Sequence, residues 1–408
     1  MKINTNTKKL AFLLVLTVFM GFSGVAYGAS GDTRYLVKSH SNFWKKSFSV
    51  RYEFKDGFTS DLTDWQLRLA KIFGVEVIPV KKLNILPESN NVVSDEAGVD
   101  ILKNRPVIVP RTRPVPSENI PWGVKYVYND LLLEKTSGGV DINVAVLDTG
   151  ALISHPDLKN NIEQCKDFTL LKAPVADGKC EDKNGHGTHV AGIISANGGE
   201  DGKGIYGVAP EARLFVYKVC GNNGSCWSDD IAIAIRTAAD NKANIINLSL
   251  GSDSESTLIS DAIDYALSKN VLIFAAAGND GPDEKSIDYP GANVNVVAVG
   301  AFDSNYDVAG WSSRGINLST KLGVIEEGDL EFAAPGAIVE STWKDGGYVI
   351  LSGTSMATPH MAGLAAKLWQ KDADDPDSAT RDILRTFAKD LGEVGEDNLS
   401  GYGFPHLK

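Results

Sequence analysis

Continuously apolar runs alternating with amphipathic helical patterns predict an α/β protein whose largely parallel sheet is flanked by helices. Ahead of it, a stretch in which strand patterns enclose one amphipathic segment predicts a small α+β N-terminal domain. The 408 residues, 43% of them hydrophobic, are enough for one large domain and one small one. No fixed period marks a repeat architecture.

The chain opens with Lys2, Lys8 and Lys9, continues through the apolar run LAFLLVLTVFMGF and passes into the small-residue stretch SGVAYGA. Basic, apolar and small regions in that order are the layout of a secretory signal over residues 1–28, with Ala26 and Gly28 suited to the −3 and −1 positions. An uncleaved membrane anchor is the competing reading, and no later segment reaches the roughly 20 apolar residues that a spanning helix needs. Residues 29 to about 85 then supply SFSVRYEF, DLTDWQLRLAKIFG and VEVIPV: a strand, an Asp-led amphipathic segment and a second strand. PESNNVVSDEAG and RPVIVPRTRPVPSENIPWG follow, and their prolines disfavour continuous secondary structure, as in a linker or processing region.

The main body starts near residue 118. INVAVLDTG reads as a strand, THVAGIISA as a helix, RLFVYKV as a strand, and SDDIAIAIRTAADNK as a helix for which Ser228 is a candidate cap. Then come IINLSL, the helical ESTLISDAIDYALSKN, the strands VLIFAAAG and VNVVAVG, and a helix beginning around Ser355. The net charge of −12 excludes a broad attraction to nucleic acid or anionic membrane. Four cysteines in an exported chain point to disulfides; of three possible pairings, the local ones, Cys165–Cys180 and Cys220–Cys226, are expected. Zinc is the alternative, but these spacings lack the short paired-thiol pattern.

Three polar segments fall where such a sheet places its strand ends and helix starts: VLDTG with Asp148, NGHGTHVAG with His186, and GTSMATP with Ser355. A serine hydroxyl needs a neutral imidazole to take its proton as it attacks a carbonyl. The imidazole needs a carboxylate to hold its tautomer and to stabilise the ring once charged. Asp148, His186 and Ser355 supply these three chemistries. Their order differs from that of α/β-hydrolases, where the serine comes first in a GxSxG motif. In AAAGND, Asn279 offers an amide donor for a developing oxyanion, and the N–H of Ser355 at a helix start offers a second. Taken singly, each residue also reads as a turn former or helix cap. His189, three residues after His186, raises a metal alternative, but HExxH zinc sites use a spacing of four with a glutamate between. His189 and His360 are expected to be hydrogen-bonded packing residues.

From about residue 120 onward the chain closely resembles the subtilisin-like serine proteases, the subtilases, through VAVLDTGALISHPDL, NGHGTHVAGI, INLSLG, AAAGNDG and LSGTSMATPHMAG. The resemblance implies a subtilisin-like fold and peptide-bond hydrolysis through an acyl-enzyme, with Asp148, His186 and Ser355 as the triad and Asn279 in the oxyanion hole. It implies a signal peptide (1–28), an inhibitory, folding-assisting propeptide with a processing linker (29–115) and a catalytic domain (116–408), with maturation in the segment 104–119. By motif position it assigns one wall of the S1 pocket to Ser249, Leu250 and Gly251, and the other to Ala276, Ala277 and Gly278. These small walls imply broad action with apolar or aromatic P1 residues, although the loop around residues 281–290 can narrow or charge the pocket. The family's structural calcium implies Asp157 as a ligand, with Asn197 and Asp201 in the loop ANGGEDGKG as additions, since hard cations prefer flexible oxygen-rich loops. No catalytic cofactor is implied. The expected partners are extended polypeptides and the chain's own propeptide, with no nucleic acid and no membrane anchor, for a secreted, extracellular monomer. Pro405 departs from the family's apolar tail. A catalytically silent, peptide-binding or chaperone-like relative is the alternative, against which the four intact site residues stand, and a narrow processing protease is a third possibility.

Overall fold

The computed structural model describes residues 33–86, 112–170, 175–321, 323–392 and 394–408. The expected signal, most of the linker and the first part of the 104–119 processing segment lie outside the described residues. The described residues fall into two units, residues 33–50 with 56–79, and residues 51–55 with 80 onward.

In the smaller unit, strand Arg34–Val37 pairs antiparallel with Gly57–Asp61 and with Val77–Pro79. The amphipathic segment forms helix Asp64–Ile72, and Thr63 rather than an aspartate caps it, in a reciprocal capping box with Gln66. A further helix, Asn42–Phe48, occupies the beginning of the run expected as the first strand. It buries Trp44 and Phe48 against Val37, Phe58, Leu62 and Leu69, so side-chain packing decides the local structure there.

Among the described residues, the main sheet of the larger unit has eight strands: β1 (Asn143–Asp148), β2 (Ile162–Asp167), β3 (Ala176–Asp177), β4 (Arg213–Lys218), β5 (Ile245–Leu248), β6 (Leu272–Ala276), β7 (Val297–Phe302) and β8 (Phe332–Pro335). They line up as β8-β7-β6-β5-β1-β4-β2-β3. Every pairing is parallel except that of the short β3 with β2. Strands β5, β6 and β7 are buried at every residue, which requires cover on both faces because side chains alternate. The helices α1 (His186–Ser195), α2 (Ser228–Asp240), α3 (Thr257–Leu267), α4 (Thr354–Leu368) and α5 (Pro376–Phe387) supply it. Helix α1 packs on α4, and α2 packs on α3.

Ser228 is the first residue of α2 and not its cap, a position taken by Trp227 without a side-chain bond. Both disulfides form locally, Cys165–Cys180 and Cys220–Cys226. Pro405 is accommodated in a two-residue strand with Phe404, paired with Ala388–Lys389, and Phe404 is buried in the main core. Among the described residues no helix is long and apolar enough to cross a membrane.

Candidate active site

Asp148 is the last residue of β1, His186 the first of α1 and Ser355 the second of α4, so all three lie where strands end and helices begin. The turn NGHG makes the first junction possible. Gly185 has φ +113°, and a Cβ at Gly187 would fall 2.2 Å from the Gly150 carbonyl oxygen and 3.1 Å from the Asp148 side chain. Only glycine allows that approach. His186 Nδ1 lies 2.9 Å from both Asp148 carboxylate oxygens, with both residues buried. The contact keeps the proton on Nδ1, so the neutral ring carries its lone pair on Nε2.

The first turn of α1 is tied down by Asp182, a residue that sequence reasoning missed. Its carboxylate accepts from the amides of Asn184, Gly185 and Thr188 and from the hydroxyls of Thr149 and Thr188, all within 2.9 Å. An aspartate a few residues ahead of a helix start is the signal that marks it. Lys218, also missed, is the β4 residue opposite Asp148 and donates to the Thr149 carbonyl at 2.6 Å. Burial lowers its pKa, while the charges of Asp182, Asp167 and Asp148 oppose the change.

At the other helix start, the Asn279 Oδ1 accepts from the Thr354 amide and from the Thr354 hydroxyl, each at 3.0 Å. Because the amide is a donor only, Oδ1 must face it, and the Nδ2 donors turn the other way, beside Gly353. Pro359 sits in the sixth position of α4 and cannot donate to the carbonyl of Ser355 four residues earlier. The Ser249 hydroxyl takes that place, donating to the Ser355 carbonyl at 2.9 Å, and Asn247 Nδ2 donates in turn to the Ser249 hydroxyl at 3.0 Å. The Ser355 hydroxyl donates to the Ser249 carbonyl over 3.3 Å, a long bond that costs little to exchange for another acceptor. Hydrogen bonds thus join Asp148 to His186 and Asn279 to the Thr354–Ser355 turn, on two helices that pack together.

His189 donates its Nε2 proton to the carbonyls of Val339 and Val349 at 3.1 Å, and His360 bonds the Met356 carbonyl at 2.8 Å. Burial pushes their pKa values down to about 3 and about 4, so both stay neutral packing residues.

Beside Ser355, the segment Leu250–Gly251 pairs antiparallel with Ile85–Asn84, and strand Lys82–Ile85 pairs on its other edge with Ser225–Trp227. The Ile85 amide also donates to the Gly224 carbonyl at 2.9 Å. An extended stretch of the chain itself therefore runs as the middle strand of a three-stranded antiparallel sheet, the geometry of peptide binding by strand addition. The residues expected as S1 walls, Ser249–Gly251 and Ala276–Gly278, are buried, and Asp288 joins them: a Cβ on Gly251 would lie 2.7 Å, and one on Gly278 3.0 Å, from its Oδ2.

Asp157, expected as a calcium ligand, is buried, and its Oδ2 accepts from the Ile205 amide and the Tyr348 hydroxyl, each at 2.8 Å. Its Oδ1 faces the glycine loop, where a Cβ on Gly204 would come within 1.9 Å. Asn197 is adjacent, its amide bonding the Asp157 carbonyl at 3.0 Å. Asp201 is exposed and accepts from the Lys203 amide at 3.1 Å.

Comparison with known proteins places the chain in a family. Residues 139–403 match the model of the subtilase family. The chain is 43% identical to a subtilisin of Bacillus sp. (strain TA39), over 96% of each chain. It is 32% identical to an alkaline protease of Alkalihalobacillus alcalophilus, over 97% of this chain and 96% of that one. Among solved structures, the S41 psychrophilic protease superimposes with a TM-score of 0.69 at 52% identity, and sphericase with 0.69 at 50%; each match covers 72% of this chain and 99% of the other. The chain belongs to the subtilase family and is a serine endopeptidase of the subtilisin type.

Proposed function

We propose that Ser355 attacks the scissile carbonyl, that His186 Nε2 takes its proton and returns it to the leaving amine, and that Asp148 holds the imidazole and stabilises its charged form. The observation that carries this reading is the buried Asp148–His186 contact at 2.9 Å, which sets the tautomer that a general base needs. Water then hydrolyses the acyl-enzyme by the same proton route in reverse.

Asn279 Nδ2 and the Ser355 amide donate to the oxyanion. Asn279→Ala is expected to lower kcat by about 10²–10³-fold with little change in KM, a loss measured on subtilisin itself and carried over to this relative. Steady-state kinetics on one peptide amide checks it, and a rise in KM at constant kcat would instead make Asn279 a ground-state binder.

The chain is made as an exported zymogen. Residues 1–28 direct export, residues 29–115 form the propeptide and its linker, residues 116–408 form the catalytic domain, and maturation cuts within 104–119. The strand Lys82–Ile85, lying where an extended substrate adds its own strand, supports self-inhibition. The purified wild-type precursor should shorten itself and then degrade an unfolded protein, whereas the Ser355→Ala precursor stays full length; equal conversion of both would rule the reading out. The small walls alone favour broad action with an apolar or aromatic P1 residue, and the Asp288 carboxylate close to Gly251 and Gly278 adds a charge that they lack.

Calcium would be held by Asp157 and Asn197, whose oxygens suit a hard cation; Asp201, exposed beside Lys203, fits this set less well. Its role there is to tie the glycine loop to the body. At calcium about 100-fold above its Kd the gain is roughly 2.7 kcal/mol, so a chelator should lower Tm by about 4 °C in a domain of this size. An unchanged Tm in calorimetry would argue against the site.

A further inference from the structure

We infer that the pocket between Ser249–Gly251 and Ala276–Gly278 takes a cationic P1 side chain, lysine or arginine, and that Asp288 is its specificity-determining residue. The Asp288 backbone is fixed to both walls. Its own amide donates to the Ala277 carbonyl at 2.8 Å, and the next residue, Tyr289, exchanges backbone bonds of 2.9 and 3.0 Å with Ser252. Its carboxylate lies against one glycine from each wall, Gly251 and Gly278, so any larger residue at either position would displace it.

The side chain is only 4% exposed. Among the described residues its carboxylate accepts no hydrogen bond and meets no cation. Asp280, immediately after Asn279, and Asp253, two residues after Gly251, stand exposed at the rim, with one oxygen of each of the three carboxylates within 4.8 Å of the others. Among the described residues, three acids around one cleft with no basic residue among them leave a negative site without a counter-charge. Burial first, and then the charges of Asp280 and Asp253, push the Asp288 carboxyl up to about 7.

A lysine or arginine at P1 brings the missing cation and relieves that penalty, whereas an aliphatic residue does not. Continuing the strand register by one residue sets buried Leu86, a neutral residue, opposite Ser249. The sequence of the processing stretch agrees, for it carries Arg105, Arg111 and Arg113, of which only Arg111 is not followed by proline. A mature chain beginning at Thr112 is the matching outcome, and one generated by cutting after an apolar residue counts against the inference.

The inference rests on the peptidase reading above, and the test separates the two. Peptide amides differing only at P1 (Arg, Lys, Leu, Phe) are assayed with the mature enzyme, with active sites counted by a covalent phosphonate. Failure to cleave any of them fails the peptidase reading, whereas cleavage in the wrong P1 order fails only this one. The expected order of kcat/KM places Arg and Lys first. Asp288→Asn should cut the Arg-to-Leu ratio by about 30-fold or more, as when one partner of a buried charge pair is removed, and Asp280→Asn, at the rim, by less. The ratio should rise with pH through about 7 in the wild type, as Asp288 loses its proton, and stay flat in Asp288→Asn. An apolar P1 preference, or a ratio unmoved by Asp288→Asn, overturns the inference. So does an Arg preference seen only after chelation, which would assign the three carboxylates to a divalent cation.

Discussion

Ser355→Ala is expected to lower kcat by about 10⁶-fold, the loss measured when a subtilisin is stripped of its serine, carried over here to a relative. The size follows from what one atom does. Without Oγ no acyl-enzyme forms, and the remaining catalysis comes from the oxyanion donors and from binding, roughly 10³–10⁴-fold over water. The substitution should leave the fold intact. The Ser249 hydroxyl donates to the carbonyl of residue 355 and not to its side chain, and alanine is the best helix former. Tm should therefore stay close to that of an inactive precursor of the same length, while turnover falls to the detection limit. A residual rate only tenfold below wild type would mean that another group attacks the carbonyl.

Asp148→Asn should cost about 10⁴-fold in kcat near neutral pH, on the precedent of the matching change in another serine protease. An amide is isosteric with the carboxylate but presents a donor to His186, and so favours the tautomer with the proton on Nε2. That ring cannot accept from Ser355. The carboxylate also accepts from the Thr149 amide at 2.6 Å and lies across the sheet from Lys218, so the change alters a buried charge balance as well. Loss of the Asp148 charge removes one of the three carboxylates that hold the Lys218 pKa up against burial. Kinetics with a count of active sites, together with the imidazole Nδ1 proton signal, distinguishes this from unfolding. A kcat within tenfold of wild type would show that Asp148 does not set the tautomer.

Much of this arrangement was legible in the sequence because the site residues are short-range features of their elements. Asp148 ends an apolar strand, His186 lies between glycines, and Ser355 opens a helix. The parallel sheet was readable from runs buried on both faces, and the local cysteine pairs from their enclosed loops. Long-range partners were not readable. Asp182, Lys218 and Asp288 acquire their roles only when distant segments meet, and a lone aspartate in a loop gives no sign of which cleft it will enter. Asp288 shows the effect most plainly, because the segments 249–251 and 276–278 read as small and neutral until the folded loop sets its carboxylate beside Gly251 and Gly278. Pro359 shows the converse: a proline near a helix start forfeits little of the hydrogen-bond ladder, yet the carbonyl it leaves without a helix partner is the one Ser249 bonds. Of the expected first strand, Tyr52–Phe54 forms one, while aromatic packing of Trp44 and Phe48 draws the start of that run into a helix.

The central claim is that Ser355 is the nucleophile activated by His186. Its most direct measurement is covalent labelling of the mature enzyme with a fluorophosphonate, followed by peptide mapping by mass spectrometry. A stoichiometric adduct on the peptide carrying Ser355, formed with loss of activity and slowed by orders of magnitude in His186→Ala that the wild type has matured in trans, is the predicted result. Complete inactivation with the label on another residue, or labelling of Ser355 at the same rate without His186, would contradict it.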